Sequence, residues 1–152
     1  MMMKRLAMVL SLLAVVASPV FAEDKASCDK TPRQVVEAFG KLFYDQLKVK
    51  EAFEAWVRED YIQHNPVAPD GRQAAIDALS GWLGTQPEFR YHVKRIIAEG
   101  DLVAVHMHAQ PKPEERGFAV VDIFRVEDCK IAEHWDVLQP VPESSANDNG
   151  MF

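Results

Sequence analysis

Cysteine is scarce in this chain: 152 residues hold two, Cys28 and Cys129. Neither has a second Cys or a His at ligand spacing, which argues against a thiolate metal centre. Also missing are a glycine-rich phosphate loop, a Gly-x-Ser-x-Gly elbow and a Cys with a His close by in sequence. Phosphate cradling and nucleophilic catalysis by serine or cysteine therefore have no support. Positive charge is short too, with 17 Lys+Arg against 23 Asp+Glu and, past residue 22, no basic cluster beyond the dipeptide Lys94-Arg95. Nucleic-acid partners want a basic patch, so none is expected. No internal repeat or low-complexity block appears.

What is present suits one globular domain, at 48% hydrophobic and 26% charged residues. The N-terminus stands apart. Lys4 and Arg5 precede an apolar run from Leu6 to Ala17, Pro19 breaks it, and Val20-Phe21-Ala22 offers a cleavage site. The run is shorter than the about 20 residues a membrane span needs. Residues 1–22 thus read as a signal peptide, with a periplasmic or secreted product and no membrane attachment after cleavage. Cleavage removes two basic residues and no acidic ones, leaving 15 − 23 = −8. The rest divides into a flexible segment, 23–30, a domain, 31–142, and a disordered tail, 143–152. In an oxidising compartment Cys28 and Cys129 can form one disulfide; two free thiols are the alternative.

Thr31-Pro32 reads as an N-cap and first helical residue, and Val35, Val36, Phe39, Leu42, Phe43 and Leu47 follow at helical steps. A helix from Pro32 to about Lys48 is expected, then a second from about Lys50 to Val57. Arg58 to Asp70 is polar and aromatic, with a turn at Asn65-Pro66. Gly71 to about Leu83 reads as a third helix. From Phe89 the period switches to two: Phe89–Glu99, Leu102–Gln110, Gly117–Glu127 and Lys130–Leu138 read as strands joined by short turns, hence antiparallel. Helices followed by strands give an α+β order.

With Asp128-Cys129 as a two-residue turn, the last hairpin's register sets Asp122 opposite Trp135 and puts Asp122, Phe124 and Trp135 on one face. An aspartate among apolar groups is poorly hydrated, which strengthens it as a general base. Pairing with an arginine or a backbone cap is the bland alternative. His106 and His108 alternate with Met107 and share a face. Two such histidines are candidate metal ligands, but no metal motif accompanies them and no metal is assigned. His64 sits in a loop able to close over a cavity. Tyr61 and Trp82 are either core or pocket residues.

Four segments together resemble the SnoaL-like polyketide cyclases of the NTF2-like superfamily: Tyr61 to Pro66, Gly100 to His106, Val121 to Asp128 and Lys130 to Asp136. The resemblance spans about Pro32 to Pro142. It implies an NTF2-like cone, a curved antiparallel sheet wrapped around the N-terminal helices and an apolar pocket, commonly as a homodimer. It further implies cofactor-free aldol cyclisation or isomerisation of a small carbonyl compound. On that basis Asp122 is the catalytic acid–base residue, assisted by His108 or His106. His64, Tyr61, Trp82, Phe124 and Trp135 would contact a small hydrophobic ligand. A non-catalytic binding module on the same fold is the other reading. At the turn, Cys129 stands where the family usually has glycine, so a bridge to Cys28 is expected to offset a positive φ.

Overall fold

The computed structural model describes residues 28–152; the expected signal peptide and residues 23–27 lie outside them. Helix α1 spans Pro32–Phe43 and opens on a reciprocal cap, in which the Thr31 side chain accepts from the Gln34 amide and the Gln34 side chain accepts from the Thr31 amide. It ends earlier than its apolar spacing predicts, in a turn where Leu47 has φ 54°. Helix α2 covers Val49–Trp56 and α3 Arg72–Gly84.

Strand β1, Val57–Gln63, falls in the segment that the sequence reading left without regular structure. Its buried residues are Val57 and Tyr61. They stand four apart, a spacing that marks a helix as readily as a strand, so period alone hides it. Strands β2 (Arg90–Glu99), β3 (Leu102–Gln110), β4 (Phe118–Glu127) and β5 (Lys130–Pro140) follow. The five form one curved, unclosed sheet in the order β1-β5-β4-β3-β2, with β1 parallel to β5 and every other pair antiparallel.

Two irregularities decide which side chains face the helices. The β2–β3 register shifts between Val93 and Arg95, so Tyr91 and Ile96, which unbroken alternation would put on opposite faces, both pack on the core. The β4–β5 register shifts after Val126 pairs with Ile131: Arg125 then faces Glu133, and Ala132 has no partner. A bulge of one residue moves every later side chain to the other face. The expected pairing of Asp122 with Trp135 is therefore corrected to Asp122 with Asp136, and Phe124 now faces His134.

The core fills the space between the helices and the sheet's inner face. Phe39 lies at its centre, with ring centroids 5.2 Å from Phe43, 5.4 Å from Phe53 and 5.6 Å from Phe124. Cys28 and Cys129 form a disulfide with Cα atoms 5.3 Å apart, tying the entry to α1 onto the β4–β5 turn. In that turn Asp128 and Cys129 have φ 48° and 62°, left-handed values that glycine or asparagine normally supply.

Gly117, immediately before β4, has φ 66°, and a Cβ there would sit 2.1 Å from the Ala109 carbonyl oxygen. Substitution meets strain and backbone contact together. Gly117→Ala is expected to lose at least about 2 kcal/mol in urea unfolding. Beyond Pro140 the chain has no helix or strand, and it returns along the outer face, where Phe152 rests 4.6 Å from the His108 ring.

Candidate active site

A cavity of about 710 Å³ opens between the helices and the inner face of the sheet. Nine of its lining residues are aromatic, among them Phe39, Tyr61, Trp82, Tyr91 and Phe124. Polar groups concentrate on one wall, where β4 and β5 place Asp122, His134 and Asp136 side by side. Val67 and Leu138, 90% and 51% exposed, mark the mouth; Asp122, 9% exposed, lies deeper.

Each polar group on this wall is held from behind. The Tyr44 hydroxyl, on the turn after α1, donates to Asp122 Oδ2 at 2.5 Å. Burial above all, then the charge and hydrogen bond of Asp122, pushes the Tyr44 phenol far above its ordinary pKa, so it stays a donor. Tyr44 does not line the cavity and acts through Asp122. Asp122 Oδ1 lies 3.4 Å from His134 Nε2.

His134 is fixed by Gln63. Gln63 Oε1 accepts from the Asn65 backbone N–H at 2.9 Å and lies 3.0 Å from His134 Nδ1. Since a backbone N–H can only donate, that Gln63 atom is the carbonyl oxygen, and His134 Nδ1 must carry a proton toward it. Nε2 is the nitrogen left to face Asp122. The imidazole also lies near-parallel to Phe124 at 5.0 Å and to Tyr61 at 6.5 Å. Asn65 donates through its side-chain amide to both oxygens of Asp136, at 2.7 and 3.0 Å.

Two phenols complete the wall. Gln63 Nε2 donates to the Tyr61 oxygen at 3.0 Å, leaving the Tyr61 O–H free to donate into the cavity. Tyr91 also lines it. Burial first, then the charge of Asp122, raises both phenols above their usual pKa, so both remain donors. A buried carboxylate, an oriented imidazole and protonated phenols around an apolar space can move a proton and stabilise an oxyanion.

Of the residues expected from sequence, Asp122, Tyr61, Trp82 and Phe124 line this cavity. His106 and His108 do not. Alternation along β3 turns Val103, Val105, Met107 and Ala109 inward, and Val105 is the residue paired with Asp122. His106 and His108 lie on the outer face, where burial, then Arg95 and Lys94, lowers the His106 pKa. His108 Nε2 lies 2.7 Å from the Arg116 carbonyl. His64 and Trp135 also lie outside the cavity, stacked on each other at 4.6 Å. His64 Nε2 is 2.7 Å from Glu133, which also binds Arg125 at 2.7 Å. Arg125 first, then His64, holds the Glu133 carboxyl below the usual carboxylate range.

The sequence reading missed Tyr44, Tyr91, His134 and Asp136. Metal-ligand atoms of Asp122, His134 and Asp136 lie within 4.8 Å of one another, making these three, among the described residues, the set able to hold a cation. Tyr44 and Asn65 already engage both carboxylates.

The SnoaL-like domain family matches residues 33–134. The chain belongs to the SnoaL-like family. Solved structures share its fold. TsrD from Streptomyces laurentii is 22% identical, covering 74% of this chain and 91% of TsrD, with a TM-score of 0.57. IdmH, a proposed polyketide cyclase from Streptomyces antibioticus, is 20% identical over 72% of this chain and 92% of its own, at a TM-score of 0.56. A proposed ketosteroid isomerase from Kribbella flavida is 19% identical over 76% and 83%, at 0.62. Identities this low carry the fold and not the reaction. No curated protein matches the chain.

Proposed function

We propose that this SnoaL-like protein is an exported, cofactor-independent cyclase or isomerase acting on a small apolar carbonyl compound. The observation that carries the reading is Asp122, nine-tenths buried on the cavity wall, with one oxygen fixed by Tyr44 and the other beside His134. Asp122 takes a proton from the carbon α to a carbonyl. The electron pair moves onto the carbonyl oxygen, where Tyr61 or Tyr91 hydrogen-bonds the enolate. The proton then returns to a different carbon in an isomerisation. In an aldol closure the enolate carbon attacks a second carbonyl, and the proton passes to the new alkoxide. Both routes balance without an external oxidant or reductant.

The names borne by IdmH and the Kribbella flavida protein support this class of chemistry. Export is supported by the basic-then-apolar start of the sequence and by the disulfide. The reading includes a homodimer through the outer face, which leaves Ile97 and Val137 63% and 64% exposed.

The test is deuterium exchange. Aromatic ketones that bind the protein are incubated in heavy water, and loss of the α-proton is followed by NMR. Catalysed exchange is expected. A ketone that binds but exchanges no faster than in buffer would favour the non-catalytic binding module.

A further inference from the structure

We propose that the cavity selects ligands carrying a basic amine and excludes carboxylates, with Asp136 as the residue that sets this preference. The inference rests on the cavity being a ligand site, as above, but needs no turnover. Its basis is an imbalance of charge. Two carboxylates face the cavity, and among the described residues no lysine or arginine lines it.

The two acids differ in what answers them. Asp122 has His134 at 3.4 Å and the Tyr44 hydroxyl at 2.5 Å. Asp136, paired with it across β4 and β5, accepts hydrogen bonds from the neutral amide of Asn65 and, with His134 within 4.8 Å, forms no ion pair among the described residues. The arginines on β1, α3 and β4 are engaged elsewhere: Arg125 with Glu133 and Glu127, Arg58 with Asp60 and Glu127, and Arg72 with Glu59. Asp136 thus presents a carboxylate answered by no described lysine or arginine, two residues along β5 from Leu138 at the mouth.

The surrounding wall favours the same sign. Trp82, Phe89 and Tyr91 form a continuous aromatic surface, with centroid spacings of 4.8 and 4.7 Å. Ring faces attract cations and offer nothing to an anion. A carboxylate entering this space loses its water, gains no counter-charge and meets two acids. An ammonium group meets Asp136 and the rings. The ligand class is therefore an aromatic or polycyclic carbonyl compound bearing an alkylamine arm. A cavity of about 710 Å³ is within the usual range for such a molecule.

Three probes built on 2-acetylnaphthalene test this, carrying methyl, aminomethyl or carboxyl at the far end of the ring. Calorimetry on the whole domain is expected to rank aminomethyl over methyl over carboxyl, with at least about tenfold between the extremes. Asp136→Asn should bring the aminomethyl and methyl probes within about threefold of each other and strengthen the carboxyl probe. The wild-type ranking, and its narrowing at high salt, stands as evidence even if that variant fails to fold. A carboxyl probe that binds as well as the amine overturns the proposal. So does a ranking that survives Asp136→Asn in a folded protein. Should none of the three bind, the ligand-site reading falls with it. The expected ranking without α-proton exchange leaves this inference standing and removes only the enzymatic one.

Discussion

Asp122→Asn is expected to slow α-proton exchange by about 10²–10⁴-fold, the range that a positioned general base contributes. The substitution isolates the base because the site can accept an amide there. The carbonyl oxygen of the new side chain would still accept from the Tyr44 hydroxyl. Its NH₂ would donate to His134 Nε2, the nitrogen that Gln63 leaves facing residue 122. Shape and hydrogen bonding persist while the negative charge and the proton acceptor go. Ligand affinity and the unfolding midpoint should therefore change little. Asp122→Ala is the poorer test, since it strands a buried Tyr44 hydroxyl at a cost of about 1–3 kcal/mol and mixes stability with chemistry. Exchange that falls less than about threefold in Asp122→Asn would remove Asp122 from the role of base. Loss of exchange together with loss of ligand binding would mean that residue 122 only shapes the cavity.

Tyr44→Phe separates the support from the base. Its hydroxyl touches Asp122 and not the cavity, so the variant should keep its ligands and lose part of the rate. The split between affinity and rate is the signature of a positioning residue, which a purely structural tyrosine would not show.

How far the site could be read from sequence depended on whether strand alternation ran unbroken. Asp122, Phe124 and Val120 lie on one uninterrupted stretch of β4, and they share the inner face. On β3 the answer was also present: Val103, Val105, Met107 and Ala109 form the apolar row, so the histidines between them had to face out. Two imidazoles at alternate positions also suggest a shared site, which competes with that pattern. On β5 the sequence offers no comparable warning. Ala132 is an ordinary strand residue and nothing marks it as the bulge, yet it exchanges the places of His134 and Trp135. The helices were legible because their apolar residues recur over several turns. The end of α1 was not, because Leu47 continues the spacing while its backbone has already left the helix. Tyr44 escaped notice for a related reason. It continues the buried stripe of Val36 and Gly40 just past the helix end, where it reads as core, and only the tertiary fold brings it to Asp122, 78 residues away.

Loss of the disulfide should produce the largest stability change outside the cavity. Cys28 and Cys129 are 101 residues apart, and a bridge closing a loop of that size is worth up to about 4.7 kcal/mol in the chain-entropy account. The double variant Cys28→Ser/Cys129→Ser is expected to lose a large part of that in urea unfolding, and reductant should bring the wild type to the same midpoint. The turn supplies a control. Residue 129 sits at φ 62°, where serine is strained and glycine is not. Cys28→Ser/Cys129→Gly should therefore recover about 1 kcal/mol relative to the double serine variant, with no bridge in either. If glycine recovers nothing, the turn relaxes once the bridge is gone, and the positive φ is imposed by the disulfide instead of by the hairpin. That result would shift the bridge's role from stability to geometry. The turn joins the two strands that carry Asp122, His134 and Asp136, so exchange rate should then fall on reduction even where the domain stays folded. A reduced protein that is less stable but equally active would confine the bridge to stability.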